Sequence, residues 1–275
     1  MIAKRYIGKI AKAHREKLKD TIINDIDRWT YSLLVNEDTK VKCANGTSLY
    51  INPSDFVVSR RIWREGEFQP YLGKYISNEL NVGDIAIDVG ANIGYFTILM
   101  GSIVGDSGKV YAFEPAEKNV RVLNKNVETN DLTEVVEVRS EAASDQNGTA
   151  DLSIATFNKG SHSIAEAKES EKVVKVPTIK IDDVVVNDVD LIKIDAEGSE
   201  DKVIAGMEHI LSEHTPIVIL EYNPQLWERN TKEALQPLFK AGLSPYEVRK
   251  NGETIKISIQ EILERSFTGD IVFKP

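Results

Sequence analysis

The sequence predicts a doubly wound α/β fold, and three observations predict it. From residue 85 onward, short and nearly all-apolar runs alternate with segments of helical length and spacing. Strands apolar on both faces belong in a sheet covered on both sides. Acids stand where those runs end, at Asp88, Glu114, Asp195 and Glu221. That is the carboxyl edge, where ligands bind in such sheets. Finally, the first run turns through Gly90-Ala91-Asn92-Ile93-Gly94 into a second apolar stretch, as a strand entering a helix does.

The elements follow in order. In the first twenty residues seven Lys and Arg outnumber Glu16 and Asp20, and Ile2, Tyr6, Ile10 and Ala13 recur at helical spacing. This predicts a basic amphipathic helix that packs on the main domain or touches an anionic membrane or a partner. "VKCANGTSLYINP" (41–53) predicts a hairpin, since Asn45-Gly46 favours a tight type I′ turn. Residues 59–80 read as irregular structure followed by a helix. Strands then fall at 85–90, 109–115, 135–143, 189–198 and 216–223. Helices fall at 93–105, 117–130, 199–214 and 224–242, the last despite Pro237. The tail predicts an antiparallel pair with a helix between its later strands. Residues 144–188 break the alternation and read as a lid, a binding loop or an extra hairpin. The expected organisation is an N-terminal extension, 1–80, and a main domain, 81–275, with an insertion at 144–188.

Bulk properties exclude several classes. Net charge is −9, against the basic field that nucleic acid demands. No apolar run approaches the roughly 20 residues of a membrane span, and lysines interrupt the start where a secretory leader would be apolar. Cys43 is the only cysteine, so no intramolecular disulfide can form. A cytoplasmic protein is expected.

The glycine turn carries the functional reading. Glycine lets a ligand approach the backbone, and the following helix offers unpaired N–H groups. A dinucleotide turn prefers G-x-G-x-x-G; here Asn92 stands where a third glycine would be, and Asp88 precedes the turn. Asp88 repels a pyrophosphate but attracts an ammonium. S-adenosylmethionine carries an ammonium, a carboxylate and a sulfonium, and no phosphate, so it suits this loop better than NAD. Glu114 ends the next strand about 20 residues past Gly94, the spacing at which an acid grips ribose hydroxyls. Glu141 or Ala142, ending the third strand, would meet the adenine. Phe68 and Tyr71, just upstream, would close over the cofactor or pack as core.

"DVGANIGYFTILMG", "VYAFEP" with "LNKNVETN", and "LIKIDAEGSEDKVIAGM" together resemble the FkbM family of S-adenosylmethionine-dependent methyltransferases over roughly residues 80–223. The resemblance implies a Rossmann-like, seven-stranded methyltransferase sheet. It also implies O-methylation of a hydroxyl on a sugar, glycan or natural-product small molecule. It carries Asp88, Gly90, Asn92 and Gly94 over as cofactor-turn residues and Glu114 as the ribose acid; Ala91, within the same turn, is also expected at the cofactor. Ala196 replaces the usual valine of K-I-D-V-E-G.

For the chemistry, "KIDAEGSE" puts Asp195 and Glu197 beside the reacting end of the cofactor. A base for the hydroxyl proton could be Asp195, Glu197, Glu221 or His162. Asp195 could instead orient the acceptor, the preferred role, or join other acids on a divalent metal, although no metal site is assigned. Glu200 and Asp201 have a simpler explanation at a helix start. Lys193 and Lys202 need no special role. The rival readings are an NAD-type oxidoreductase and a non-catalytic module that binds S-adenosylmethionine. Oligomeric state is not legible.

Overall fold

A computed structural model describes residues 26–154, 162–163, 172–264 and 268–275; the basic stretch 1–20 and most of 155–171 lie outside them. Residues 26–34 form helix α1. Next comes the hairpin of β1 (Lys40–Lys42) and β2 (Ser48–Tyr50), with Lys42 opposite Ser48. Its turn is not type I′. Gly46 alone is left-handed (φ +89°), and its N–H donates to the Cys43 carbonyl at 3.0 Å. The longer loop with a glycine bulge replaces the two-residue turn. Residues 58–79 make two helices where one was expected, α2 (Val58–Glu65) and α3 (Pro70–Glu79). Asp55 starts α2 by accepting from the Val57, Val58 and Ser59 amides, and Gly66 ends it at φ +73°.

The alternating part follows: β3 (Ile85–Val89), α4 (Tyr95–Val104), β4 (Lys109–Phe113), α5 (Glu117–Thr129) and β5 (Val136–Arg139). The expected 135–143 strand splits, its end becoming β6 (Ala142–Ala143), which the insertion's β7 (Gly148–Ile154), β8 (His162–Ser163) and β9 (Lys172–Ile179) join in the order β6-β9-β7-β8. Together they make a small second sheet. The chain resumes with β10 (Leu191–Ile194), α6 (Glu200–Ala205), α7 (Glu208–His214), β11 (Ile217–Tyr222) and α8 (Thr231–Lys240). It closes with β12 (Ser244–Val248), β13 (Thr254–Lys256), α9 (Ile259–Glu264) and β14 (Gly269–Lys274).

Two expected helices are shorter than their sequence patterns. The 199–214 stretch breaks after Ala205 because Gly206 runs against the Ser144 carbonyl, only 1.9 Å from where a Cβ would sit. Asp182 then starts α7 by accepting from the His209 and Ile210 amides, both at 3.0 Å. The 224–242 stretch becomes helical only at Thr231, where the Asn230 side chain caps the Glu233 amide.

The main sheet has the order β13-β12-β14-β11-β10-β3-β4-β5. Strands β3, β4, β5, β10 and β11 are parallel, and β14 runs antiparallel between β11 and β12. The expected seven strands are present, with β13 added as an eighth at the edge. Side chains alternate between two cores, as a pleated strand requires. Ala86, Val110, Leu191, Ile219 and Val272 enter the core with α3 and α4. Ile87, Tyr111, Ile192, Val218 and Ile271 enter the core with α6, α7 and α8. Tyr31, Leu49, Ile51 and Ile62 share the first core, so the N-terminal extension packs as part of the sheet's own hydrophobic layer.

Asn126, fully buried on α5, joins that extension to the glycine turn. It accepts from the Tyr50 amide at 2.6 Å and donates to the Tyr50 carbonyl at 3.0 Å and the Ile93 carbonyl at 2.8 Å. Asn126→Leu would orphan these groups. A loss of about 2–4 kcal/mol in urea unfolding is expected; an unchanged midpoint and slope would show that the staple contributes nothing.

Candidate functional site

Strand order reverses between β3 and β10: the chain leaves β3 for β4 on one side and returns to β10 on the other. The crevice at such a switch point is the ligand site of an open sheet. A cavity of about 610 Å³ lies here, within the roughly 300–1,000 Å³ of small-molecule sites.

Its floor is the glycine turn. Gly90 sits at φ +74°, and a Cβ there would lie 1.8 Å from the Asp195 carbonyl oxygen. Only glycine lets the β3 and β10 ends close on each other. The Gly90 and Ala91 amides donate to the Phe113 carbonyl at 2.9 and 3.1 Å, which leaves the turn rigid. Asn92, at φ +52°, takes a left-handed conformation that asparagine tolerates. Gly94, at φ +92°, opens α4 against Leu123.

Glu114 stands above the turn. It accepts from the Asn92 amide at 2.8 Å through Oε2, and from the Ala116 amide at 2.9 Å and the Asn119 side chain at 3.4 Å through Oε1. Burial pushes its pKa up to about 7, against those three donors. Oε2, which accepts from the Asn92 amide, keeps room for a further hydrogen bond.

The catalytic candidates form a row that follows from strand register. Lys193 pairs with Asp88, and Glu221 with Asp270, across adjacent strands. Two residues beyond Lys193, Asp195 reaches the level of Glu221, because strand side chains repeat every second residue. Lys193 Nζ is 3.6 Å from Asp88 Oδ1, 3.4 Å from Asp195 Oδ2 and 5.2 Å from the Phe96 ring centre. Burial opposes its charge, but Asp195, Asp88 and Asp270 outweigh burial and hold its pKa above the ordinary lysine value. Burial pushes Glu221 up to about 9, reinforced by Asp195 and Glu197. Asp270 is also raised by burial, while the Tyr71 hydroxyl donates to it.

Glu197 sits on the loop after β10 at φ +49°, and burial with the neighbouring Asp195 and Glu200 pushes it up to about 8. Glu200 holds that loop. Fully buried, it accepts from the Ala196 amide at 3.0 Å, the Gly198 amide at 2.9 Å and the Trp227 indole at 2.7 Å. The simple helix-start explanation therefore understates Glu200: it is a positioning residue for Asp195 and Glu197. Asp201 instead ties down Arg229, accepting from its amide at 3.2 Å.

The cavity wall brings together Gly90, Ala91, Asn92, Glu114, Ala142, Phe68, Asp195, Glu197 and Glu221 from the sequence reading. Asp88, Gly94, Glu141 and Tyr71 are not on it. Asp88 is 1% exposed, one layer beneath the wall, where the Thr97 hydroxyl donates to it at 2.6 Å. Tyr71 reaches the site through Asp270. His162 pairs with Ile154 in β8, and its side chain lies outside the described part. Sequence reasoning missed Lys193, Glu200 and Asp270. A lysine two residues before Asp195 on a buried strand was one available signal. An acid opening the last, antiparallel strand was another, since that start lies beside the carboxyl end of β11. Among the described residues, no cluster of three or more His, Cys, Asp or Glu is arranged to hold a metal ion.

The model of the FkbM methyltransferase domain matches residues 88–255. A protein of Sulfurisphaera tokodaii described as a "probable cobalt-precorrin-6B C(15)-methyltransferase (decarboxylating)" is 41% identical over 56 residues. That stretch is 20% of this chain and 29% of that protein's length. Among solved structures, an FkbM methyltransferase of Methylobacillus flagellatus aligns with 93% of this chain and 60% of its own, at 14% identity and a TM-score of 0.47. A candidate methyltransferase of Streptococcus mutans, solved with S-adenosylhomocysteine, aligns with 76% of this chain and 99% of its own, at 12% identity and a TM-score of 0.44.

Two outcomes follow from the geometry. Gly90→Ala would drive its methyl into the Asp195 carbonyl and strain a left-handed backbone, so a fall of about 1–3 kcal/mol in stability is expected, with loss of ligand binding; a thermal melt and a ligand titration of the variant check it. The raised carboxyls bind protons more tightly folded than unfolded. Stability should therefore fall as pH rises from the ordinary glutamate range through about 8 and 9, the values of Glu197 and Glu221. Melting curves from pH 5 to 9.5 should slope downward, and Glu221→Gln should flatten the upper part. A slope identical in both proteins would locate the titration elsewhere.

Proposed function

We propose, from the premise that the chain belongs to the FkbM methyltransferase family, that it methylates a hydroxyl of a sugar, glycan or natural-product small molecule. S-adenosylmethionine is the cofactor of this family of enzymes. Its chemistry fits the residues present. Glu114 offers Oε2 to a ribose hydroxyl, Phe113, Ala142, Ala143 and Leu152 offer apolar surface to a base, and the acids across the cavity suit a cation. Gly90, Ala91 and Asn92 would carry the amino-acid end, with Phe68 and Glu141 flanking the site. When bound, the cofactor supplies an electrophilic methyl group on a positively charged sulfur. The NAD reading drops out with the family assignment.

The observation that carries the acceptor class is the group Asp195, Glu197 and Glu221 on the cavity wall, with Asp270 paired behind Glu221. Glu197 and Glu221, pushed up to about 8 and 9 by burial, keep protons near neutral pH and so both accept from and donate to hydroxyls, which suits a hydroxyl-bearing acceptor. Lys193 fixes one oxygen of Asp195 at 3.4 Å, and the Glu221 carboxyl hydrogen-bonds to Asp195, so the two acids face the acceptor as a pair. Holding the acceptor oxygen in line supplies much of the rate. A neighbouring cation lowers the pKa of Glu197 and Glu221, so either then takes the hydroxyl proton. We place the reaction in the cytoplasm, where the buried Cys43 stays reduced.

The test is turnover with a ¹³C-methyl donor and fractionated metabolites, read by NMR of the labelled product. A methyl carbon bonded to oxygen supports the reading. One bonded to nitrogen or carbon, or binding without turnover, overturns it. Asp195→Asn should lower kcat by about 100-fold or more while leaving S-adenosylhomocysteine affinity within about threefold. The ratio of S-adenosylmethionine to S-adenosylhomocysteine affinity should rise between pH 6 and 9, as Glu197 and Glu221 ionise beside the sulfonium. Calorimetric titration measures it, and a flat ratio would separate the acids from the sulfur.

A further inference from the structure

Among the described residues, nothing covers one face of helix α1. Its inner face is fully engaged. Tyr31 is completely buried, its hydroxyl donates to the Asn52 carbonyl at 2.7 Å, and its ring meets Phe56 and Trp63 at 5.3 and 5.6 Å. Asp27 receives Arg60 and Arg64 at 3.7 and 3.5 Å. On the outer face Ile26, Trp29 and Leu33 recur at helical spacing and are 59%, 68% and 66% exposed, with Leu34 beside them at 60%. Single exposed apolar residues need no explanation. Three on one stripe, including a tryptophan, do.

The charge of the chain says what covers this face. Residues 1–65 hold thirteen Lys and Arg against eight Asp and Glu, a net of +5. Residues 66–275 hold 21 against 35, a net of −14. The excess is concentrated in residues 1–25, immediately before α1, with seven basic residues against three acids. A second copy of this chain would bring like against like at this end. A negatively charged surface is attracted here and repelled by the rest of the molecule. Apolar and aromatic side chains beside a basic segment match the requirement of a lipid–water interface, where tryptophan is favoured and basic side chains meet anionic headgroups.

We propose that the outer face of α1 docks on an anionic lipid bilayer, held by Ile26, Trp29 and Leu33 and attracted by the basic N-terminal stretch. Among the described residues no helix is long and apolar enough to cross a membrane, so the contact is peripheral. The orientation has a consequence for the site. Val57, Val58 and Arg61 line the cavity and belong to the segment that α1 packs against. Docking by α1 therefore brings that edge of the cavity to the membrane side, the approach that a lipid-anchored acceptor would need.

The test is sedimentation of the full chain with phosphatidylcholine vesicles, with and without phosphatidylglycerol, at low and high salt. About tenfold tighter binding to the anionic vesicles, weakened by salt, is expected. The double variant Trp29→Gln, Leu33→Gln should lose about tenfold, with an unchanged melt. Three results would overturn the proposal: no binding of the wild type, equal binding by the double variant, or a wild-type dimer that the variant dissolves, which would make the face a contact between copies. A titration with S-adenosylhomocysteine on the same samples keeps failure of docking distinct from failure of the methyltransferase reading.

Discussion

The site is organised around one buried ammonium. Lys193 is 4% exposed in the interior of a sheet, where an unpaired charge is prohibitive. It needs carboxylates at fixed positions, and register supplies them. Asp88 is its partner on β3, and Asp195 follows two residues later on its own strand. The Thr97 hydroxyl on α4 then anchors Asp88. The glycine turn, the first helix of the repeating unit and the loop after β10 thus share one electrostatic knot. Gly90 is the steric side of the same constraint, because the strand ends carrying Asp88 and Asp195 must touch. Asp88 acts here through Lys193, beneath the ligand surface.

One ammonium does not neutralise what surrounds it. Asp195, Glu197 and Glu221 converge on the same end of the cavity, with Asp270 behind Glu221 on β14, and the pKa values of Glu197, Glu221 and Asp270 are raised, first by burial. Like carboxyls so close cannot all ionise at neutral pH. The cluster resolves the excess by taking up protons or by accepting a cation. A cavity in that state stores proton-accepting capacity that a positively charged ligand releases. The same arrangement that makes the free protein sensitive to high pH therefore prepares the bound one for proton transfer.

Much of this was legible in the sequence, for identifiable reasons. Strands β3, β4, β10 and β11 announced themselves because burial on both faces leaves an unbroken apolar run. Asp195, Glu197 and Glu221 were legible because strand ends mark the ligand edge. What escaped depends on contacts distant in sequence. The split of the 199–214 helix is set by Ser144 and Asp182. Glu200 obeys the local rule for a helix start, and only Trp227, 27 residues away, shows its second task. Lys193 reads as an ordinary strand-end charge until Asp88 appears beside it. Asp88 itself satisfied the motif pattern, and its depth beneath the wall follows from the pleat, which turns it toward α4.

The cavity is assembled from parts of the chain that pack differently. Glu114, the glycine turn and the acid row come from sheet strands and the loops that directly follow them. The remaining walls come from elsewhere: Val57, Val58, Arg61, Phe68 and Gln69 from the N-terminal extension, and Leu152 from the second sheet. These two additions pack differently. The extension is fused to the main core through Tyr31, Leu49 and Ile62, whereas Leu152 belongs to a small separate cluster with Ala116, Ala142 and Val176. A wall in the main core is costly to reshape, because every change is felt by α3 and α4. A wall in a four-residue cluster is not. The cavity is therefore bounded by one rigid unit, fused to the main core, and by one small unit whose packing is easily altered.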